Sequence, residues 1–111
     1  MVKSFLNDLT FDVQKIQTKV ILENSFSKEI RILLAKDQIM KEHKSPFPIT
    51  VYIVNGSIDF MVNEEVYPMR SGDIISLDSN VIHSLKAAEN SIIRLTLSKQ
   101  DRIERVEAVT E

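Results

Sequence analysis

Short apolar runs separated by polar turns fill most of the chain, and several of them alternate apolar and polar residues. The run over residues 91–98 is the clearest, with Ile93, Leu95 and Leu97 at every second position. A period of two is that of a β-strand with one face buried. Such alternation, or a short run rich in β-branched and apolar residues between turns, predicts strands over residues 19–22, 26–36, 49–54, 57–62, 66–69, 74–77, 81–86 and 91–98. Short strands at regular spacing, each bounded by a turn, are typical of a β-sandwich or a small barrel.

The remaining segments carry weaker patterns. Residues 41–48 are polar and contain Pro46 and Pro48, so we expect a loop or an irregular start to the next strand. Residues 1–18 allow a short helical turn or an edge segment, and the charged residues 99–111 form a tail or a short helix. Helical periodicity is confined to these two ends of the chain, so the sequence does not indicate a helical domain.

Turn residues predict which strands pair. Asn55-Gly56 is the strongest hairpin signal, because both residues tolerate a positive φ. It predicts that residues 49–54 and 57–62 pair with each other. The run over 49–54 is apolar without clear alternation, which predicts that both of its faces are covered. The chain has only two glycines, Gly56 and Gly72, and we expect them at the most demanding turns.

The composition narrows the class of protein. Val, Ile and Thr make up about a quarter of the chain, and these β-branched residues favour strands. Cysteine is absent, which excludes disulfides, cysteine-based metal sites and a thiol nucleophile. The 14 Lys and Arg residues nearly balance the 16 Asp and Glu residues. This balance argues against a protein that binds nucleic acid or an anionic membrane.

The length of the chain and of its apolar runs predicts the number of domains and the cellular location of the protein. A chain of 111 residues predicts a single domain, here with a core over about residues 19–98 and a charged tail over 99–111. No apolar run approaches the roughly 18 residues that a membrane-spanning helix needs. The first residues lack the apolar stretch and the cleavage site of a secretion signal. We therefore expect a cytoplasmic protein with no membrane partner.

Two glycines and two histidines stand in register with a known family pattern. Its first motif is Gly-x5-His-x-His-x3–4-Glu-x6-Gly, where x is any residue. Its second motif is Gly-x5-Pro-x-Gly-x2-His-x3-Asn. With Gly56 closing the first motif, His43 falls on its first His, and with Gly72 opening the second, His83 falls on its His. The residues that depart from the pattern are Asp37, Ser45, Ile49, Asp78, Asn80 and Ala87. Over about residues 28–98, the chain resembles the small single-domain cupins.

The resemblance implies an all-β fold, the cupin-type double-stranded β-helix or jelly-roll barrel, with short irregular or helical termini. In metal-bearing cupins, three His and one Glu converge inside the barrel. This chain keeps His43 and His83, whereas Ser45 and Ile49 stand at the other two ligand positions. The resemblance thus implies a weak divalent-metal site for iron, manganese, nickel or zinc, or else no cofactor. It also implies a homodimer that pairs through the outer sheet and covers strand edges.

Three functions are compatible with these residues. The first is a module that binds a small molecule in the barrel pocket. Its predicted ligand contacts are Ser45, Phe47, Ile49 and Phe60. The second is an enzyme: a metal-dependent dioxygenase or isomerase type with His43 and His83 as ligands, or a metal-free type that uses them as acid and base. The third is a structural or interaction module with a vestigial site, in which the aromatic residues are plain core.

Overall fold

The computed structural model describes residues 2–99 and 109–110, and the strands in this part of the chain number nine. They are β1 (Gln17–Glu23), β2 (Ser27–Leu34), β3 (Ile39–His43), β4 (Ile49–Asn55), β5 (Ser57–Val62), β6 (Glu65–Arg70), β7 (Ile74–Leu77), β8 (His83–Ala87) and β9 (Ser91–Ser98). The described residues contain no helix, and residues 2–16 form bends and turns. The tail or short helix expected over residues 99–111 lies largely outside the described residues.

Two antiparallel sheets enclose one core. The five-stranded sheet has the order β1-β2-β9-β4-β7, and the four-stranded sheet has the order β3-β8-β5-β6. Most connections pass from one sheet to the other, which is the arrangement of a jelly-roll barrel. The all-β jelly-roll prediction is therefore confirmed. None of the described segments forms a helix long and apolar enough to cross a membrane.

Alternation along the strands builds the core. On β9, Ile93, Leu95 and Leu97 point inward and are almost completely buried, as their period-two spacing predicts. On β4 the inward residues alternate with half-buried ones, so its outer face is only partly covered within a single chain. The predicted full coverage of that face is not seen in one chain, and the homodimer stays a prediction.

Strand β3 departs from the sequence prediction. We expected a loop or irregular segment from residue 41 onward, whereas a strand already runs over Ile39–His43. Of its residues only Met40 is buried, because β3 is an edge strand, and its pairing with β8 shifts register between Met40 and His43. An exposed edge interrupted by a bulge leaves little periodic signal in the sequence.

The predicted hairpin at Asn55-Gly56 is wrong. Strands β4 and β5 lie in different sheets, so this dipeptide turns a corner between the sheets. Gly56 has a φ of 121°, and a Cβ added to it would lie 2.2 Å from Ser91 Oγ. Glycine is needed there because the corner passes against Ser91. A two-residue hairpin instead joins β5 to β6 at Asn63-Glu64, where both residues have positive φ.

Strand β2 is buried on both of its faces. Its inner residues join the core, and its outer residues include the buried Glu29 and Arg31. Glu29 Oε1 accepts a hydrogen bond from Arg94 Nε at 2.8 Å and another from Thr96 Oγ1, and Ser27 Oγ donates to Oε2 at 3.2 Å. Burial raises the pKa of the Glu29 carboxyl, but these hydrogen bonds and the Arg94 charge lower it by more. The pKa therefore lies below its ordinary value of 4.5.

Candidate functional site

A small cavity between the two sheets is lined by both histidines of the chain. It offers about 20 Å³ to the centres of water-sized molecules, which is room for about one water. Apart from His43 and His83, its walls are apolar. They are formed by Ile32, Met40, Ile49, Val51, Leu85, Ile93 and Leu95. An apolar cavity with a few convergent polar groups is the usual form of a small-molecule site.

Strand pairing brings the two histidines together. His43 ends β3, His83 begins β8, and the register places them directly opposite each other. Their ring centroids are 4.1 Å apart, and the ring planes are tilted by 59°. His83 is buried, whereas His43 is half-buried. The convergence expected from the resemblance is therefore present, while their role as metal ligands stays a prediction.

Backbone carbonyls fix the orientation of both imidazoles. His43 Nδ1 lies 2.7 Å from the Lys41 carbonyl oxygen, and His83 Nδ1 lies 2.9 Å from that of Val81. A carbonyl oxygen can only accept a hydrogen bond, so Nδ1 carries the proton in each ring. In the neutral ring the lone pair is then on Nε2. This is the tautomer in which an imidazole accepts a hydrogen bond or binds a metal through Nε2.

Phe60 supports His83 from inside the core. The two rings stack with parallel planes, at an interplanar angle of 4° and a centroid distance of 5.7 Å. Phe60 is completely buried and does not line the cavity. We predicted it as a ligand contact, but its position fits the alternative of core packing. From there it restricts the plane of the His83 ring.

The other predicted ligand contacts lie in different environments. Ile49 forms part of the cavity wall. Ser45 is buried, but its Oγ accepts a hydrogen bond from the Phe47 backbone at 3.1 Å, and its carbonyl accepts one from the Asn80 backbone at 2.6 Å. Phe47 is half-buried and is not part of the wall. Of the four predicted contacts, only Ile49 lines the cavity.

The donors around the cavity do not complete a four-ligand metal site. Nowhere in residues 2–99 and 109–110 do three or more His, Cys, Asp or Glu side chains come close enough to hold a metal ion. At the two remaining positions of the family pattern, Ser45 holds a turn and Ile49 carries no donor atom. Two imidazoles remain, which is fewer than the three protein ligands of most catalytic sites.

The backbone confirms the register of both motifs. At the four positions where the family pattern has glycine, φ is 73° at Asp37, 121° at Gly56, 95° at Gly72 and 65° at Asn80. Asp and Asn are among the few residues other than Gly that adopt a positive φ readily. The departures from the pattern at these positions therefore preserve the turns that orient β3 and β8.

Several cavity residues were not predicted from the sequence. Met40 lies on the edge strand β3, and no strand was predicted at residues 39–40. Val51, Leu85 and Leu95 lie in predicted strands but were not predicted as cavity residues. The period of two identifies which residues face inward. It does not identify which inward residues meet at the same depth of the barrel.

Comparisons with known proteins agree with this geometry. Residues 30–98 match the family model described as "Cupin domain". No curated protein matches the sequence. A conserved protein of unknown function from Streptococcus pyogenes is 20% identical, with a TM-score of 0.77 over 92% of this chain and 90% of that one. KdgF from Halomonas sp. is 18% identical, with a TM-score of 0.72 over 85% of this chain and 88% of that one. An RmlC-like cupin from Desulfovibrio desulfuricans is 17% identical, with a TM-score of 0.76 over 84% and 91%.

Proposed function

This chain belongs to the cupin family, and we propose that it binds a small molecule in the cavity between its two sheets. This fold hosts many unrelated activities, so the function depends on the residues of the site. The observation that carries it is the pair of imidazoles, each with Nδ1–H held by a backbone carbonyl, in a cavity whose other walls are apolar.

The chemistry of the walls defines the class of ligand. Apolar side chains favour an apolar group, since burying it removes hydrocarbon surface from water. The Nε2 lone pairs favour a hydroxyl or amine hydrogen on the ligand. With room for about one water-sized group, only a small part of the ligand enters the cavity, and the rest lies at its mouth. The ligand is therefore a compact molecule with a small apolar end next to a hydrogen-bond donor.

A fragment screen by ligand-observed NMR tests this proposal. We expect hits that combine a small apolar group with a hydroxyl or an amine. Binding should be lost in Ile49→Phe, because the larger ring fills the cavity. It should persist in Ile74→Phe, the matched control, because Ile74 is 64% exposed on the edge strand β7. If Ile49→Phe does not fold, His43→Ala serves instead and should weaken binding by about tenfold.

Either of two results would contradict the proposal. Fragments that bind both Phe variants equally would lie outside the cavity. A screen without hits, on protein shown to be folded, would favour the structural or interaction module with a vestigial site. In that case the histidines would be wall residues that pack against Phe60 and each other.

Divalent-metal binding at the same histidines is a second candidate. It is favoured by the Nδ1–H tautomer of both rings, which leaves Nε2 as the donor atom. Two imidazoles would hold such an ion weakly unless ligand oxygens complete its coordination. Elemental analysis of untagged protein should then find about one metal per chain, lost in both His43→Ala and His83→Ala. Metal content far below that, and equal in the variants, would exclude this candidate and the metal-dependent dioxygenase or isomerase alternative with it.

A further inference from the structure

A row of cationic side chains crosses the outer face of the five-stranded sheet. Lys19 on β1 is the register partner of Arg31 on β2, and Arg31 is the register partner of Arg94 on β9. Like charges directly opposite each other on adjacent strands destabilise a sheet. Three of them in a row are unexpected in a chain whose net charge is −2.

Only one of these three cations is neutralised. Arg94 forms an ion pair with Glu29 at 2.8 Å. Within the part of the chain that the structure describes, neither Lys19 nor Arg31 forms an ion pair with a carboxylate. The uncompensated positive charge is therefore concentrated at the two residues that face each other across β1 and β2.

Arg31 is an unusual cation because it is only 5% exposed. Its Nη1 donates to the carbonyl oxygens of Asn7 at 2.6 Å and Phe5 at 3.4 Å, and its Nη2 donates to that of Asp8 at 3.4 Å. Its Nε is buried and has no hydrogen-bond partner. Carbonyl oxygens solvate a guanidinium group only in part and leave its charge uncompensated. Burying an Arg side chain in this state therefore costs folding free energy.

A polar pocket lies beside these two cations. It offers about 210 Å³ to the centres of water-sized molecules, far more than the cavity inside the barrel. Its lining combines the Lys19 and Arg31 cations with hydroxyl and amide groups and one carboxylate, that of Asp8, so that cations outnumber anions by two to one. The remaining lining residues are Thr10, Gln17, Thr18 and Leu33. Cations beside neutral hydrogen-bond donors suit a ligand that carries negative charge on oxygen.

We propose that this pocket binds a small oxyanion, a phosphate or carboxylate group, between Lys19 and Arg31. The anion offsets the repulsion between the two facing cations and compensates the charge of a guanidinium group that has only carbonyl oxygens as partners. The pocket lies on the outer face of the sheet, on side chains that the interior cavity does not use. Its occupancy is thus independent of the function proposed for the two histidines.

Phosphate titration followed by NMR tests this inference. In ¹⁵N-labelled protein, the Arg31 Nε–H signal and the Lys19 amide signal should shift saturably as inorganic phosphate replaces chloride at constant ionic strength. Lys19→Gln should raise the dissociation constant about fivefold, because it removes one charged hydrogen-bond donor. Lys36→Gln, in an exposed turn after β2, is the matched control and should bind as the unsubstituted protein does. Acetate in place of phosphate shows whether a carboxylate is accepted as well.

The results distinguish phosphate binding at a specific site from general electrostatic screening by ions. Unsaturated shifts at tens of millimolar phosphate, or equal shifts with chloride, would overturn the inference. So would an unchanged dissociation constant in both Lys19→Gln and Arg31→Lys. Arg31→Lys keeps the charge but removes the guanidinium fork, and its fold is checked by circular dichroism. A shift in the Arg31 signal that Lys19→Gln weakens and Lys36→Gln does not would support it.

Discussion

Substituting alanine for each of the two glycines separates a packing effect from a conformational one. Gly56 and Gly72 both have a positive φ, 121° and 95°, so alanine is strained at either position. Such strain costs about 1–3 kcal/mol. The effect of alanine on the unfolded chain is the same in both variants and cancels when they are compared.

Only Gly56 adds a steric conflict. A Cβ there would lie 2.2 Å from Ser91 Oγ, 2.6 Å from Ser91 Cβ and 2.7 Å from Ser91 Cα, whereas a Cβ on Gly72 meets nothing within 4 Å. Rotating the Ser91 side chain cannot relieve a contact with its backbone. Overpacking of this kind adds about 1–3 kcal/mol. We therefore expect Gly56→Ala to lower the free energy of unfolding by about 1–3 kcal/mol more than Gly72→Ala does.

Urea unfolding of both variants, followed by circular dichroism, measures this difference directly. The slope against urea should be similar in the two variants, so that the midpoints report stability. A difference below about 0.5 kcal/mol, within the range of ordinary surface substitutions, would refute the reasoning. It would mean that residues 55–56 form a turn that does not pack against Ser91.

Two further predictions concern charge and turn conformation. Because the pKa of Glu29 lies below 4.5, its ionised form stabilises the fold above that pH, and this contribution is lost as the pH falls through the lowered value. In Glu29→Gln, the urea midpoint should fall less steeply with pH between about pH 5 and pH 3 than in the unsubstituted protein. The exposed control Glu89→Gln should keep the pH profile of the unsubstituted protein. Identical profiles for the two variants would contradict this account. Glu64 has a φ of 73° in the β5–β6 hairpin, so Glu64→Gly should raise the free energy of unfolding by about 0.5 kcal/mol. Thermal unfolding measures this change, and destabilisation would show that the side chain contributes more than its strained backbone costs.

The local pattern of apolar and polar residues was sufficient to predict the strands whose inner face is buried. The alternation on β9 and the apolar run on β4 both identified strands close to their observed bounds. It failed for β3, where a single buried residue and a bulge leave no period to detect. It also failed to assign strand partners, since Asn55-Gly56 permits a tight turn but does not determine whether the chain stays in one sheet.

The candidate site depended on long-range pairing. His43 and His83 are far apart in sequence, and only the pairing of β3 with β8 brings their rings to 4.1 Å. The resemblance to a family motif supplied this proximity, because the motif records which residues the fold brings together. Positive φ at Asp37 and Asn80 shows why the register survives the loss of two glycines. Neither the residue pattern nor the family motif predicted that Phe60 stacks on His83, because this contact depends on side-chain packing in the folded core.

The imidazole nitrogen spectrum of the protein, with and without the strongest hit from the fragment screen, tests the central claim most directly. In two-bond ¹H–¹⁵N spectra we predict protonated Nδ1 in both His43 and His83, as their carbonyl partners require. Adding the fragment should move the Nε2 signals of both rings and leave Nδ1 protonated. Unprotonated Nδ1 in either ring, or Nε2 signals that do not respond to a bound fragment, would contradict the claim that these two histidines are the polar groups of a binding cavity.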